Sequence, residues 1–156
     1  MYEPIPHGTL WGMRARFAIA AIGMSLALAG SAGAMTLITE DEARLPASPT
    51  GMTRGGITLG PGIVVVAPDH DVKAPFAVKV KFQPHGGSKI NASSVKVIYL
   101  KRPAVDLTPR IKAAISDTGI DLSDATAPPG THDIKIDVTD DAGRTKSAVL
   151  SITVVK

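Results

Sequence analysis

The chain has 156 residues, 17 basic and 14 acidic, for a formal net charge of +3, and 44% of its residues are hydrophobic. That composition argues against wholesale disorder, and the length holds one ordinary core rather than two. Cysteine is absent, which excludes disulfides, thiolate metal sites, cysteine nucleophiles and a cysteine-linked lipid anchor.

At the start, Arg14 and Arg16 form a positive region ahead of an apolar run from Phe17 to Ala29. Small residues follow, with Ala32 and Ala34 at the spacing a signal peptidase reads. Residues 1–34 therefore read as a signal peptide cleaved after Ala34, which places the remainder in the periplasm or outside a bacterial cell. The segment before Met13 has two prolines and no pattern, so Met13 is a candidate start. An uncleaved anchor is the competing reading. The apolar run is shorter than the roughly 20 residues a spanning helix needs, and no membrane span is expected after cleavage.

Taking off Glu3, Arg14 and Arg16 leaves 15 basic and 13 acidic residues, a net +2, with no basic block. Three aromatic residues remain: Phe76, Phe82 and Tyr99. Nucleic-acid binding needs a basic stripe or stacking platforms, so no nucleic-acid partner is expected.

Thr39-Glu40-Asp41-Glu42 has capping-box spacing, and Pro46 limits the helix that follows to two turns. It reads as a solvated N-terminal turn more readily than as an acidic recognition handle. From Pro46 to Gly62 there are five Gly and three Pro in 17 residues, the composition of a linker. The expected layout is a short helix and linker over 35–61 and one domain over 62–156.

Within 62–156 the period becomes two. Ile63–Val66 is a β-branched run stopped by Pro68. Phe76, Val78, Val80 and Phe82 alternate with Ala77, Lys79 and Lys81, as in a half-buried strand. Val95, Val97 and Tyr99 form a second inner face, Ile134, Ile136 and Val138 a third, and Ala148, Leu150, Ile152 and Val154 the last. Val149 and Val155 would face outward. Asp140–Arg144, with Gly143, reads as the hairpin turn between the last two strands. Thr108 is expected to cap a short helix with Pro109 in its first position and Gly119 at its end. If the second and third faces pair, Lys96 lies near Asp133 or Asp137. The pattern predicts an all-β antiparallel sandwich of about seven strands with one short helix.

Ile90–Val97 resembles the start of the third strand in bacterial exported immunoglobulin-like domains. Pro129-Gly130-Thr131-His132 through Asp140-Asp141-Ala142-Gly143-Arg144 resembles their closing hairpin. The likeness runs over about 62–156. It implies an immunoglobulin-like sandwich and leaves activity open, since such domains act as adhesin modules, spacers and enzyme accessories. The Cys pair and core Trp of antibody-type members are missing, so the core must be aliphatic.

Three clusters have the right residue types for chemistry. Asp117-Thr118-Gly119 matches the aspartic-protease triplet, but Ile120 follows where a small residue belongs. His85-Gly86-Gly87 resembles an esterase oxyanion turn, but no Gly-x-Ser-x-Gly elbow exists. No phosphate-binding Gly-rich loop occurs either. Asp69-His70-Asp71, joined by His132 from a strand across the sandwich, could hold zinc or copper. Turn chemistry explains those Asp and His residues better. Asn91-Ala92-Ser93 matches a glycosylation acceptor and reads as an ordinary loop in a bacterial protein. The expectation is a non-catalytic module without cofactor or metal, whose partner is another exported or cell-envelope protein. The alternative is a periplasmic metal-binding domain using Asp69, His70, Asp71 and His132.

Overall fold

A computed structural model describes residues 34–49 and 60–156. The leader reading and most of the Gly/Pro-rich segment lie outside the described residues. Among the described residues, eight strands form two four-stranded sheets. In chain order they are β1 (Met35–Thr36), β2 (Gly62–Ala67), β3 (Phe76–Gln83), β4 (Lys96–Tyr99), β5 (Val105–Asp106), β6 (Gly119–Thr126), β7 (Gly130–Thr139) and β8 (Thr145–Val154). One sheet has the order β1-β6-β3-β2 and the other β5-β4-β7-β8. Every pairing is antiparallel except β1 with β6. The chain is thus an all-β sandwich.

The alternation in the sequence sets which face each strand buries. Val78, Val80 and Phe82 of β3 and Ile120 and Leu122 of β6 point inward from one sheet. Val97 and Tyr99 of β4, Ile134, Ile136 and Val138 of β7, and Leu150, Ile152 and Val154 of β8 meet them from the other. Removing one such side chain from water contributes about 1.5–3 kcal/mol, so this layer supplies the main driving force for folding.

Two short α-helices of the described residues sit on the sandwich, α1 (Glu40–Arg44) and α2 (Thr108–Ile111). Helix α1 has the capping box its sequence announces: Glu42 N–H donates to Thr39 Oγ1 at 3.3 Å, and Thr39 N–H to Glu42 Oε2 at 2.9 Å. It ends with Leu45 as C-cap, immediately before Pro46.

Several expectations need correction. The sandwich does not begin at residue 62, because β1 pairs with β6 and Leu37 and Ile38 are each 2% exposed in the core. The linker's first residues are also engaged: Ala47 bridges Lys101, and Arg102 N–H donates to Pro46 O. Thr108 does not cap α2. Leu107 occupies the cap, while Thr108 Oγ1 accepts from Val97 N–H at 2.9 Å and so ties α2 to β4. Gly119 does not close a helix but opens β6. Its φ is +155°, and a Cβ there would lie 2.0 Å from Val80 O. Lys96, by contrast, stands opposite Asp137 as expected, and Asp137 makes its ion pair with Lys135 at 3.0 Å.

The segment 35–48 is therefore a strap. It starts in one sheet beside β6, buries Leu37 and Ile38, and finishes against Lys101 beside the other sheet. Its central fastening is Glu42, whose carboxylate takes two bonds from the Arg110 guanidinium at 2.5 and 2.8 Å. Arg110 also donates to Leu37 O at 3.0 Å. The Arg110 bonds lower the Glu42 pKa to about 2, against the opposing push of burial, with help from the Thr39 bonds.

Because the folded pKa lies below the ordinary 4.5, the Glu42 carboxylate's contribution to stability is complete above that value and is lost as pH falls toward 2. Glu42→Gln should cost about 2 kcal/mol at neutral pH, discounted for the partly exposed guanidinium, and should flatten that acid limb in urea unfolding measured by circular dichroism. Gly119→Ala should cost about 2–4 kcal/mol in the same assay, since it combines an unfavourable φ with a collision on the β3 backbone.

Candidate functional site

The residues singled out from the sequence do not assemble into one centre. Asp69, His70 and Asp71 lie exposed on the loop after β2. The His70 ring donates from Nδ1 to Asp69 Oδ1 at 2.5 Å, and this bond lowers the Asp69 pKa. His132, their supposed fourth ligand, is 2% exposed inside the sandwich. Its Nε2 is 2.8 Å from Pro128 O and its Nδ1 is 2.8 Å from the Tyr99 hydroxyl. A carbonyl can only accept, so in the neutral ring Nε2 carries the proton and Nδ1 accepts from Tyr99 O–H. Both nitrogens are committed, and His132 has no lone pair to offer a metal. Among the described residues, no group of three His, Cys, Asp or Glu side chains could hold an ion.

Tyr99 and His132 form a polar pair within an aliphatic layer. Tyr99 is fully buried, and burial, aided by the charges of Asp133 and Glu42, pushes its hydroxyl up to about 12. It therefore stays a donor across the physiological range. Lys101 Nζ lies 5.3 Å from the Tyr99 ring centre and donates to Ala43 O at 2.8 Å, joining this pair to the strap.

Asp117 is exposed and, among the described residues, belongs to no group of three or more His, Cys, Asp or Glu side chains that could hold a metal. Its neighbours make local turn bonds: Ser116 and Thr118 hydroxyls lie 2.9 Å apart, and Ser116 N–H donates to Gly119 O. His85 contributes its carbonyl, which accepts from Ser88 Oγ at 2.7 Å and from Arg144 Nη2 at 2.9 Å.

The hairpin turn contains a group that turn composition does not reveal. Asp140 is 3% exposed. Its carboxylate accepts from the backbone N–H of Ala142 and Arg144, from Arg144 Nε at 2.8 Å and from Ser88 Oγ at 3.1 Å. Burial pushes its pKa up, but the bonds from Arg144 and Ser88 outweigh this and leave it below the ordinary range. The result is a clasp between the hairpin and the 85–90 loop. No buried side-chain nitrogen or oxygen among the described residues lacks a partner. The buried polar groups are thus occupied in structure.

What remains accessible is the side of the sandwich bounded by β2 and β8, the last strands of their sheets, which lie against one another. The exposed large hydrophobic residues of the described chain are here: Val64, Val65 and Val66 on β2, Val149 on β8, and Val155 just beyond it. The Ile63–Val66 run is a true strand, but it is a strand edge rather than the buried centre that such a run suggests. Edges usually carry charges that deter pairing, and β2 has none. A shallow depression beside it, over Gly119, is lined by Val66, Lys81, Thr118 and the Lys79–Asp121 ion pair. No helix of the described residues is long and apolar enough to cross a membrane.

No family model matches the chain, and no curated protein or solved structure matches it either.

Replacing His132 by Phe keeps an aromatic ring, at slightly larger volume, but strands the Tyr99 hydroxyl and Pro128 carbonyl. Urea unfolding should show a loss of about 1–3 kcal/mol, partly restored when Tyr99→Phe is added, since that change removes the stranded hydroxyl but not the unpaired Pro128 carbonyl. A metal role would instead leave stability nearly unchanged and abolish zinc uptake in calorimetry.

Proposed function

We propose that the chain is a non-catalytic, exported immunoglobulin-like domain that serves as a protein-interaction or structural module in the bacterial periplasm. Its partner is another exported or cell-envelope protein. The signal-peptide pattern of residues 1–34 supports export. Strand allocation supports the immunoglobulin-like reading. Counting from β2, the first, second and fifth strands share one sheet, and the third, sixth and seventh share the other. Constant-type immunoglobulin domains divide these strands in the same way. The departure is the fourth strand, β5, which joins β4 instead of extending the β6 sheet.

The observation that carries the interaction reading is β2. It is an uncharged strand edge with Val64 and Val66 more than 40% exposed, bounded by Pro61 and Pro68. Such an edge can accept an extended segment of a partner through backbone hydrogen bonds, with the valines supplying apolar contact.

Capture from periplasmic extract with the tagged chain should recover a defined partner. Val64→Lys with Val66→Lys should reduce that recovery by roughly tenfold, equivalent to about 1.4 kcal/mol. N-terminal sequencing of the exported protein should begin at Met35. Recovery of nothing by the unaltered chain would refute the interaction reading, and retention of residues 1–34 would refute cleavage.

A further inference from the structure

The β8 edge has a property that β2 lacks. Asp140 N–H donates to Arg144 O at the turn, which fixes the phase of the β7–β8 ladder. Thr145, Ser147, Val149, Ser151 and Thr153 then aim their backbone groups away from β7, and their side chains lie on the outer face. The Thr153 carbonyl agrees with this phase, because it accepts from Val72 N–H at 2.9 Å. Val72 covers that end of β8, where Val155 N–H closes the bridge on Val72 O, and Gly60 lies against the Thr145 carbonyl at the other end, so the stretch that can pair is Ser147–Ser151.

In chain order the five outward residues are Thr-Ser-Val-Ser-Thr, a palindrome about Val149. The partners behind them on β7 are Thr131, Asp133, Lys135, Asp137 and Thr139, a second palindrome about Lys135. Lys135 stands opposite Val149, so the two patterns share one centre. The side-chain bonds follow the same symmetry. Ser147 donates to Asp137 at 2.5 Å and Ser151 donates to Asp133, while Thr145 and Thr153 meet Thr139 and Thr131.

We propose that β8 pairs antiparallel with β8 of a second copy of this chain, about a two-fold axis at Val149. An isologous contact requires a surface complementary to itself, and a palindromic strand edge meets that condition. Val149 would face Val149 of the second copy, and Ser147 would face Ser151. No charged residue lies among the outward positions of the seam. On the outer face the charges stand one strand back, where Lys135 and Asp137 pair at 3.0 Å and Asp133 accepts from Ser151. Lys146, on the inner side of β8, would oppose Ile152 and meet no like charge. The pairing covers Val149, which is 46% exposed. The opposite side of the sandwich has no comparable edge among the described residues, since β1 and β5 are two residues each.

The chain has no cysteine, so a single introduced thiol reports the axis directly. Hydrogen-bonded antiparallel partners have Cα atoms about 5.5 Å apart, within the range that a disulfide spans. The full chain, as expressed and processed, should run at twice its monomer mass in light scattering. Val149→Cys should give a covalent dimer on mild oxidation, whereas Ser147→Cys alone should not. Ser147→Cys combined with Ser151→Cys should cross-link again. Val149→Lys should return the protein to monomer mass with its circular dichroism and melting unchanged, which separates lost pairing from lost folding. A monomer at all concentrations tested would overturn the proposal. So would a dimer that cross-links equally well when Ser147→Cys is the only substitution, or one that survives Val149→Lys. In each of these cases a partner captured through β2 would still stand.

Discussion

Two sheets can hold together here only because alternate side chains of each strand enter one dry aliphatic layer. That layer contains Val80, Val97, Ile134, Ile136, Val138 and Ile152, each 3% exposed or less. It has no tryptophan and no disulfide to anchor it, so close packing of branched side chains supplies the cohesion. Polar groups enter only where they can be fully bonded. The Tyr99–His132 pair and the Asp140 clasp are the clearest instances, and both leave no polar atom unmatched. A domain organised in this way commits its buried histidine and aspartate to architecture.

The two lateral sides of the sandwich solve the problem of exposed strand edges differently. On one side β1 and β5 are very short, and the strap crosses between the sheets with Glu42 fastened to Arg110. Short edge strands and a covering segment are recognised ways to prevent unwanted pairing. On the other side β2 and β8 are longer, carry exposed valines and have little charge. The contrast leaves the second side with the longer strand edges of the described residues. It also explains why the strap is packed so firmly: Leu37 and Ile38 close a gap that would otherwise open the core.

Much of this was legible in the sequence because half-buried strands write their faces with period two. The inner residues of β3, β4, β7 and β8 stand where alternation places them, and the hairpin turn falls at Asp140–Arg144. Other features had no periodic signal. Leu37 and Ile38 are adjacent in sequence and both buried, a pattern that belongs to neither helix nor strand. Thr108 looks like a cap because of Pro109, yet its hydroxyl is drawn to β4 by a contact made 11 residues away in the chain. His132 and the aspartates after Pro68 have ligand chemistry on paper. Only the fold shows that the imidazole is turned inward between Tyr99 and Pro128. Gly119 reads as a stop signal, and its actual constraint, the approach of the Val80 carbonyl, is a tertiary one.

The same periodicity that builds the core also fixes what the outer face can display. In the β7–β8 hairpin, each residue of β7 has a partner on β8 determined by the turn. The palindrome on β8 can therefore share a centre with the one on β7 only at this register. A turn longer or shorter by one residue would slide Lys135 away from Val149 and move the inward residues of one strand to the solvent face. Gly143, with φ of +76°, and the Asp140 carboxylate that gathers Ala142 and Arg144 hold the turn to its length. The buried aspartate thus acts at a distance on the surface. By setting the register of the hairpin, it aligns the inner row against the opposite sheet and the outer row into a pattern with a centre of symmetry.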